Sequence, residues 1–442
     1  MEFHGKYVVV IGTKRSGIAA IELLLKEGAH VVAMDSDPQP IPGLNVRVVA
    51  QKRELLGNPD LIVLSPAVPT DLSMLNEARM EGIPVIGEVE LSSYFLRGPV
   101  IGITGSNGKT TTTALTGHLL RECGIRCQVG GNIGTAVSSL VAFSKEDQWN
   151  VLELSSFQLE TALRLQAKLG ACLNVTPDHL DRHHTFENYA AAKRRLFETQ
   201  APDGAAVLNF DDPVCRSFAE KAKSQVHWFS TTQPVSPGMN LAGEDLVWNG
   251  RPVLNLSDIH LRGMHNIENV LAATLLALLA GADPQKIPAA VRSFPGVEHR
   301  LEFVRSLHGV EYFNDSKATN VDATIKAIEA FNGNLWIILG GKDKGSDYTP
   351  LREPVGKKSK GVLLIGAEPP YPYPAAPIIE RELEGAANLI RCGTLAAAVQ
   401  YARGHAVKGD TVLLAPACAS FDQFHNFEER GTAFKQLVAE LS

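Results

Sequence analysis

Nothing in this chain of 442 residues approaches the run of about 18 apolar residues that a membrane-spanning helix needs. A helical membrane protein is therefore excluded. Six cysteines are scattered (Cys123, Cys127, Cys172, Cys215, Cys392 and Cys418), and none forms a C-x-x-C pair. That argues against a zinc ribbon or a disulfide framework and for reduced thiols in the cytosol. There is no excess of positive charge: 42 Lys and Arg face 48 Asp and Glu, a formal net charge of -6. A general nucleic-acid or membrane-surface binder is disfavoured on that ground. Internal repeats and low-complexity tracts are lacking too, and the opening MEFHGKYVVVIG carries no signal peptide. We expect a cytoplasmic protein, and a monomer.

What is there is apolar and periodic. Hydrophobic residues make up 45% of the chain, enough for large cores. Short β-branched runs alternate with helical stretches, which predicts α/β architecture with mainly parallel sheets. Three blocks follow, bounded by Gly and Pro near Arg97–Pro99 and Phe294–Val297. They are residues 1–97, 98–296 and 297–442. The first holds strands at Lys6–Ile11, His30–Met34 and Leu61–Leu64, with a helix near Ser16–Lys26. The second holds strands at Val100–Thr104, Val151–Leu154 and Cys172–Val175, and helices from Lys109, at Phe186–Thr199 and at Asn266–Leu279. The third holds strands at Leu335–Leu339, Val362–Ile365 and Thr411–Ala415. Pro234–Asn255 has weak periodicity and stays unassigned; Gly366–Pro377 reads as a surface loop.

The sharpest local signal is ITGSNGKTTT, Ile103–Thr112, between a strand and a helix. Backbone N–H groups of such a loop point at phosphate oxygens, Lys109 reaches the terminal phosphates, and Thr110 or Thr111 offers a hydroxyl to Mg²⁺. The pattern G-x-x-x-x-G-K-[ST] fails at Ile103, the glycines lying at 102, 105 and 108. The bland alternative is an ordinary strand–turn–helix connection with a solvated lysine. A second glycine turn, Gly12–Gly17, precedes a helix, and Asp35 ends the next strand where a ribose-binding acid would lie. Without G-x-G-x-x-G it reads equally as a structural turn or as a nucleotide site, NAD included. Glu153 ends an apolar strand and is placed to hold Mg²⁺, although such a Glu is more often a cap or surface group. His179, in NVTPDHLDRH, is a candidate ligand or base. Lys193, in YAAAKRRLFE, reads on its own as one charge of a solvated face.

Taken in order, GSNGKTTT, GGNIG, ELSSFQLE, PDHLDRH, YAAAKRRLF, GMHNIENVLAA, GVEHRLEF, NDSKATN and APACASFDQF span nearly the whole chain. This set resembles the Mur ligases, the ATP-dependent amide-forming enzymes of peptidoglycan precursor synthesis. The resemblance implies a uridine-binding N-terminal domain, a central ATPase domain and a mobile, Rossmann-like C-terminal domain. It implies ATP as cosubstrate and two Mg²⁺ ions. ELSSFQLE, NDSKATN and APACASFDQF look like the branch that joins D-glutamate to UDP-N-acetylmuramoyl-L-alanine. Gly12, Thr13, Lys14, Arg15, Ser16, Gly17, Asp35, Ser36 and Ser65 would then hold the UDP portion, with Asn132 at the substrate or the ATP phosphates. Gly105, Ser106, Asn107, Gly108, Lys109, Thr110 and Thr111 would cradle ATP, with Asn266 and Asn269 beside adenine. Arg300 and Asp315 would reach the γ-phosphate and ribose. Thr110 and Glu153 would hold one Mg²⁺; His179 and Lys193, carried as a carbamate, the second. The ammonium of Lys193 must then be disfavoured by burial or by cations such as Arg194 and Arg195. Lys317, Thr319, Lys344, Ser420 and Phe427 would form the D-glutamate pocket. Three other functions compete: a related ligase taking another amino acid or a folate, a non-catalytic nucleotide-binding regulator, and an NAD-dependent oxidoreductase using Gly12–Gly17, which leaves Lys109 unexplained. The second has no need of Glu153, His179 and Lys193 together.

Overall fold

The computed structural model describes residues 2–368 and 370–442, apart from the side chain of Asp181. Met1 and, within the Gly366–Pro377 stretch, Pro369 lie outside the described residues. Two compact units are present. One contains residues up to Ile259 together with Glu268–Phe294; the other contains His260–Ile267 and Pro295–Ser442.

The first unit holds two sheets. In the first are β1 (Tyr7–Ile11), β2 (His30–Asp35), β3 (Arg47–Ala50), β4 (Leu61–Leu64) and β5 (Val85–Gly87), in the order β3-β2-β1-β4-β5. All its pairings are parallel. The central strands are buried on both faces, as parallel sheets require.

The second sheet comprises β6 (Val100–Thr104), β7 (Cys127–Gly131), β8 (Trp149–Glu153), β9 (Leu169–Cys172), β10 (Ala205–Asn209), β11 (Gln225–Ser230), β12 (Gly238–Ala242), β13 (Asp245–Trp248) and β14 (Arg251–Asn255). Its order is β14-β13-β12-β11-β10-β9-β6-β8-β7. β12 joins β11 in parallel, and β13 and β14 add as antiparallel hairpins, so the unassigned Pro234–Asn255 is three strands at one end of the sheet. Their short, polar-broken runs hide the period. The strand expected at Cys172–Val175 lies earlier, because Asn174 and Thr176 are spent on the phosphate loop. The two sheets are tied by carboxylates at the head of the helix Glu88–Ser92. Glu88 accepts the Ser138 N–H at 2.6 Å, and Glu90 accepts those of Leu163 and Arg164 at 2.8 Å.

The second unit is built on β15 (Glu302–Leu307), β16 (Val310–Asn314), β17 (Leu335–Gly340), β18 (Ser359–Ile365), β19 (Leu389–Gly393) and β20 (Thr411–Leu414). The order is β15-β16-β20-β17-β18-β19, and only the β15–β16 hairpin is antiparallel. Among the described residues no helix is long and apolar enough to cross a membrane.

Candidate functional site

β6 is fully buried and ends in a loop whose backbone is set by two glycines in positive φ, Gly105 at 152° and Gly108 at 82°. A Cβ at Gly108 would also lie 2.2 Å from the Asn269 side-chain oxygen, so this glycine is required twice over. The loop is pinned to the chain after β9. Asn107 N–H donates to Asn174 Oδ1 at 2.8 Å, and the Ser106 hydroxyl donates to the Thr176 carbonyl at 2.9 Å. The helix Lys109–Glu122 then starts with four buried threonines, Thr110–Thr113. Thr112 donates to Asn269 at 3.2 Å, which fixes Asn269 against the first turn.

Two lysines converge on one carbonyl here. Lys109 Nζ donates to the Gly105 and Ser106 oxygens at 2.8 and 2.7 Å. Lys193 Nζ donates to the same Gly105 oxygen at 2.7 Å. The surface reading of Lys193 is thus corrected: its helix, Phe186–Glu198, turns that side toward the sheet, and the residue is 1% exposed. Its amine lies 4.5 Å from the centre of the Tyr189 ring, and the Tyr189 hydroxyl shares a hydrogen bond with Ser106 at 2.9 Å. Burial first, and then the charge of Lys109, push the Lys193 pKa down to about 7. Lys109 is the cation that does this. Arg194 is engaged with Glu198, and Arg195 with the Glu160 carbonyl.

Glu153, at the carboxyl end of β8, is 2% exposed. Its Oε1 accepts from Asn132 Nδ2 at 2.8 Å. Its Oε2, like the Thr111 hydroxyl, is buried with no hydrogen-bonding partner among the described residues. A buried carboxylate oxygen and a helix-start hydroxyl of this kind suit a hard cation. Thr110 is buried as well. His179 stands in left-handed backbone (φ 53°) at the start of the short helix Leu180–His183, half-exposed, 4.9 Å from the Phe157 ring and 6.4 Å from the Tyr189 ring. Both His179 and the Lys193 amine therefore border Tyr189. No group of three His, Cys, Asp or Glu side chains that could hold a metal is found among the described residues. Mg²⁺ does not need one, since it keeps several waters and substrate oxygens. The residues fit such an ion provided Lys193 is made anionic.

The turn Gly12–Gly17 is close-packed. A Cβ at Gly17 would lie 1.7 Å from the Gly12 carbonyl oxygen, and one at Gly12 would lie 2.8 Å from Ser65 Cβ. Thr13 donates both its N–H (2.7 Å) and its hydroxyl (2.8 Å) to Asp35 Oδ2, while Ser36 and the Asp37 N–H meet Oδ1. Burial raises the Asp35 pKa, but these hydrogen bonds outweigh it and leave the carboxyl below its usual value. Lys14 stands at the N-cap position of the following helix without a side-chain capping bond, Ser16 lies in its first turn, and Arg15 donates to the Asn132 carbonyl at 2.9 Å. The structure thus brings the first glycine turn, Asp35, Ser65, Asn132 and Glu153 into one connected region.

In the second unit, neighbouring parallel strands β16, β20 and β17 release the loops bearing Asp315–Thr319, Ala415–Ser420 and Gly341–Lys344. Such carboxyl ends are where open α/β sheets bind ligands. Asp315 is buried, which raises its pKa to about 6 despite Arg300, the Leu301 N–H and Lys317. Lys317 Nζ sits 5.3 Å from the Phe427 ring centre. Asn266 is buried and donates to the Arg262 carbonyl at 2.7 Å. Ser420 is buried, and its carbonyl accepts the Phe424 N–H at 2.9 Å. Sequence reasoning missed Arg430. It is 1% exposed and donates to the Ser316 hydroxyl and carbonyl at 3.0 and 2.9 Å and to the Cys418 carbonyl at 3.2 Å. It knits the Asp315 and Ser420 loops together. Its setting, FEER, looks like an exposed charged run; the only signal is its place one helical turn after Phe427.

Three family models match the chain. They are the Mur ligase MurD-like N-terminal domain over residues 6–87, the Mur ligase middle domain over 103–277, and the Mur ligase glutamate ligase domain over 299–418. A protein named UDP-N-acetylmuramoylalanine--D-glutamate ligase from Solibacter usitatus is 55% identical, covering 100% of this chain and 99% of its own. One of the same name from Koribacter versatilis is 48% identical, covering 100% and 99%. Among solved structures, the UDP-N-acetylmuramate-alanine ligase MurC of Thermotoga maritima aligns with a TM-score of 0.63 at 18% identity over 98% of this chain and 99% of that one. A pseudomurein peptide ligase type C from Methanothermus fervidus aligns at 0.62 and 18%, over 99% and 100%. At that identity the likeness speaks for the fold. With three matching domain models and relatives this similar over their full length, the chain belongs to the Mur ligase family.

Proposed function

We propose that this chain is an ATP-dependent carbon–nitrogen ligase that joins D-glutamate to UDP-N-acetylmuramoyl-L-alanine, releasing ADP and phosphate, in peptidoglycan precursor synthesis. The observation that carries the chemistry is the meeting of Lys109 and a buried, charge-depleted Lys193 at the head of the phosphate loop. The substrates follow from the full-length likeness to relatives of that name. On this reading residues 1–97 bind the UDP portion, 98–296 bind ATP, and 297–442 bind the amino acid. The chain works in the cytoplasm as a monomer.

A carboxylate does not condense with an amine in water, so the γ-phosphoryl of ATP first converts it into an acyl phosphate by in-line transfer. Lys109, now spread over two loop carbonyls, transfers its hydrogen bonds to the terminal phosphates. The N–H groups of Gly105–Thr111 and the helix start receive the remaining oxygens. Bound Mg²⁺ offsets the repulsion between carboxylate and triphosphate. Thr110 and Glu153 are suited to one ion; His179 and a carbamate on Lys193 are suited to a second. A carbamate needs a neutral amine, and the depressed Lys193 pKa provides one near pH 7. Asn266 and Asn269 flank adenine, while Arg300 and Asp315 reach the γ-phosphate and ribose. Asn132 orients the substrate between Arg15 and Glu153. The neutral amine of D-glutamate then attacks, and phosphate leaves. Lys317, Thr319, Lys344, Ser420 and Phe427 hold the amino acid, two of them cationic for its two carboxylates.

The test is an amino-acid panel. Purified protein with ATP, Mg²⁺ and UDP-N-acetylmuramoyl-L-alanine should release phosphate with D-glutamate and not with L-glutamate, L-alanine, L-lysine or diaminopimelate. Equal rates with D- and L-glutamate, or turnover of dihydropteroate with L-glutamate instead, would overturn it.

A further inference from the structure

Tyr348 is buried completely in the core under β17, yet its hydroxyl is not among hydrocarbons. It donates to Asp343 Oδ1 at 2.8 Å and lies 3.2 Å from Cys418 Sγ. The ring's other end is held as well, since the Tyr348 N–H donates to Glu382 at 2.8 Å. Burial pushes the Tyr348 hydroxyl well above its ordinary pKa and the Cys418 thiol up to about 12, so both keep their protons.

Asp343 straddles Lys344. Its Oδ2 accepts the Gly345 N–H at 2.9 Å and its Oδ1 that of Ser346 at 3.3 Å, closing the turn on whose first residue Lys344 stands. Cys418 lies two residues before Ser420 on the loop from β20. The backbone already sets these two loops side by side, with Lys342 N–H on the Ala419 carbonyl at 2.9 Å. That bond fixes position 342; the turn beyond it is steered by the carboxylate that Tyr348 holds.

We propose that Tyr348 is a positioning residue for amino-acid binding: through Asp343 it aims the Lys344 turn, and through Cys418 it keeps that turn in register with Ser420. The proposal rests on the reading of Lys344 and Ser420 as D-glutamate contacts. A phenol donating to a carboxylate is a charge-assisted bond, stronger than a neutral one and directional. Losing it lets the turn rotate while the ring still fills the core.

The experiment compares Tyr348→Phe with the parent enzyme, reading the Michaelis constants for D-glutamate, ATP and the UDP substrate, kcat, and the melting temperature. We expect the D-glutamate constant to rise about tenfold, as for one charge-assisted bond, with the other two constants within about twofold. Asp343→Asn, which keeps the size and weakens the acceptor, should do the same. The double variant should be no worse than Asp343→Asn alone, because the link that Tyr348→Phe breaks ends on that carboxylate. An unchanged D-glutamate constant in Tyr348→Phe, or a parallel rise in all three constants, overturns the proposal. Lys344→Ala separates the two levels. If it raises the D-glutamate constant while Tyr348→Phe does not, the pocket reading stands and the positioning role falls. If Lys344→Ala leaves that constant unchanged, the pocket reading falls and takes the role with it. Should Tyr348→Phe not fold, an unchanged D-glutamate constant in Asp343→Asn overturns the proposal in its place.

Discussion

The turns Gly12–Gly17 after β1 and Gly105–Lys109 after β6 share a plan, strand to glycine loop to helix, and treat their polar groups in opposite ways. In the first, backbone faces backbone: Gly17 packs onto the Gly12 carbonyl, and the Thr13 N–H and hydroxyl are spent on Asp35. In the second, the carbonyls face inward onto Lys109 and Lys193, and the polar glycine neighbour is the end of the Asn269 side chain. A glycine loop at a helix start is thus no single device. The first is a close-packed seat with an acid beside it; the second is a loop charged by amines. Only the second is equipped to handle the terminal phosphates of ATP.

The largest effect should come from breaking the second turn's charge. Lys109→Ala is expected to lower kcat by about 10³-fold, in line with removing a preorganised donor to a developing anion, while the melting temperature barely moves. Steady-state phosphate release beside a thermal melt checks both. Near-normal turnover in the folded variant would collapse the distinction between the turns. Next comes the close-packed turn. Gly17→Ala meets backbone and should cost about 2–4 kcal/mol in urea unfolding. Gly108→Ala meets the end of the Asn269 side chain rather than backbone, on top of its positive φ, and should cost about 1–2 kcal/mol. The reverse order would mean that the first turn is the looser one.

A smaller effect concerns Lys193 and pH. A folded-state pKa of about 7 leaves the amine mostly neutral above that pH and mostly protonated below it. Carbamate formation from the neutral amine should therefore weaken as pH falls through 7. Between pH 8 and pH 6 the neutral fraction drops about tenfold. Enzyme stripped of bicarbonate should be rescued by added bicarbonate far more at pH 8 than at pH 6, and ¹³C-labelled CO₂ should give a carbamate resonance that Lys193→Arg lacks. Equal rescue at both pH values would show that burial does not control the amine. The smallest change is expected at Asp35. Asp35→Asn keeps a hydrogen-bonding partner for Thr13 and should raise the Michaelis constant of the UDP substrate only about threefold, leaving that of ATP alone.

Much of the scaffold was readable in advance, because apolar strands followed by glycine and a periodic helix leave few alternatives. The helices expected at Ser16–Lys26, Phe186–Thr199 and Asn266–Leu279 form at Arg15–Lys26, Phe186–Glu198 and Met264–Leu279. The three blocks appear as three sheets, although the first two share one compact unit. What escaped was whatever depends on distant partners. Lys193 looks like part of a solvated Lys-Arg-Arg cluster, and only the resemblance singled it out. Its burial follows from tertiary packing against Gly105, 88 residues away in sequence, with Tyr189 one turn earlier on its own helix. Arg430 hid in a charged run for the same reason. Tyr348 carried no signal at all, since a tyrosine in SDYTP reads as a turn residue until its hydroxyl is seen on Asp343. β12–β14 failed differently: short strands broken by Pro and Gly have too little period to detect.

The line from Arg15 to the Asn132 carbonyl, and from the Asn132 amide to Glu153 Oε1, has a thermodynamic consequence. It joins the helix start of the first turn to the carboxylate that ends β8. An anionic ligand that draws Arg15 away would change the hold on Asn132 and, through it, the aim of the Glu153 carboxylate. Linkage makes such an influence mutual. If Glu153 holds a cation as proposed, the factor by which the UDP substrate alters cation affinity there must equal the factor by which the cation alters affinity for the UDP substrate. Two titrations, each run with and without the other ligand, should return the same number, and Arg15→Lys should bring that number toward one.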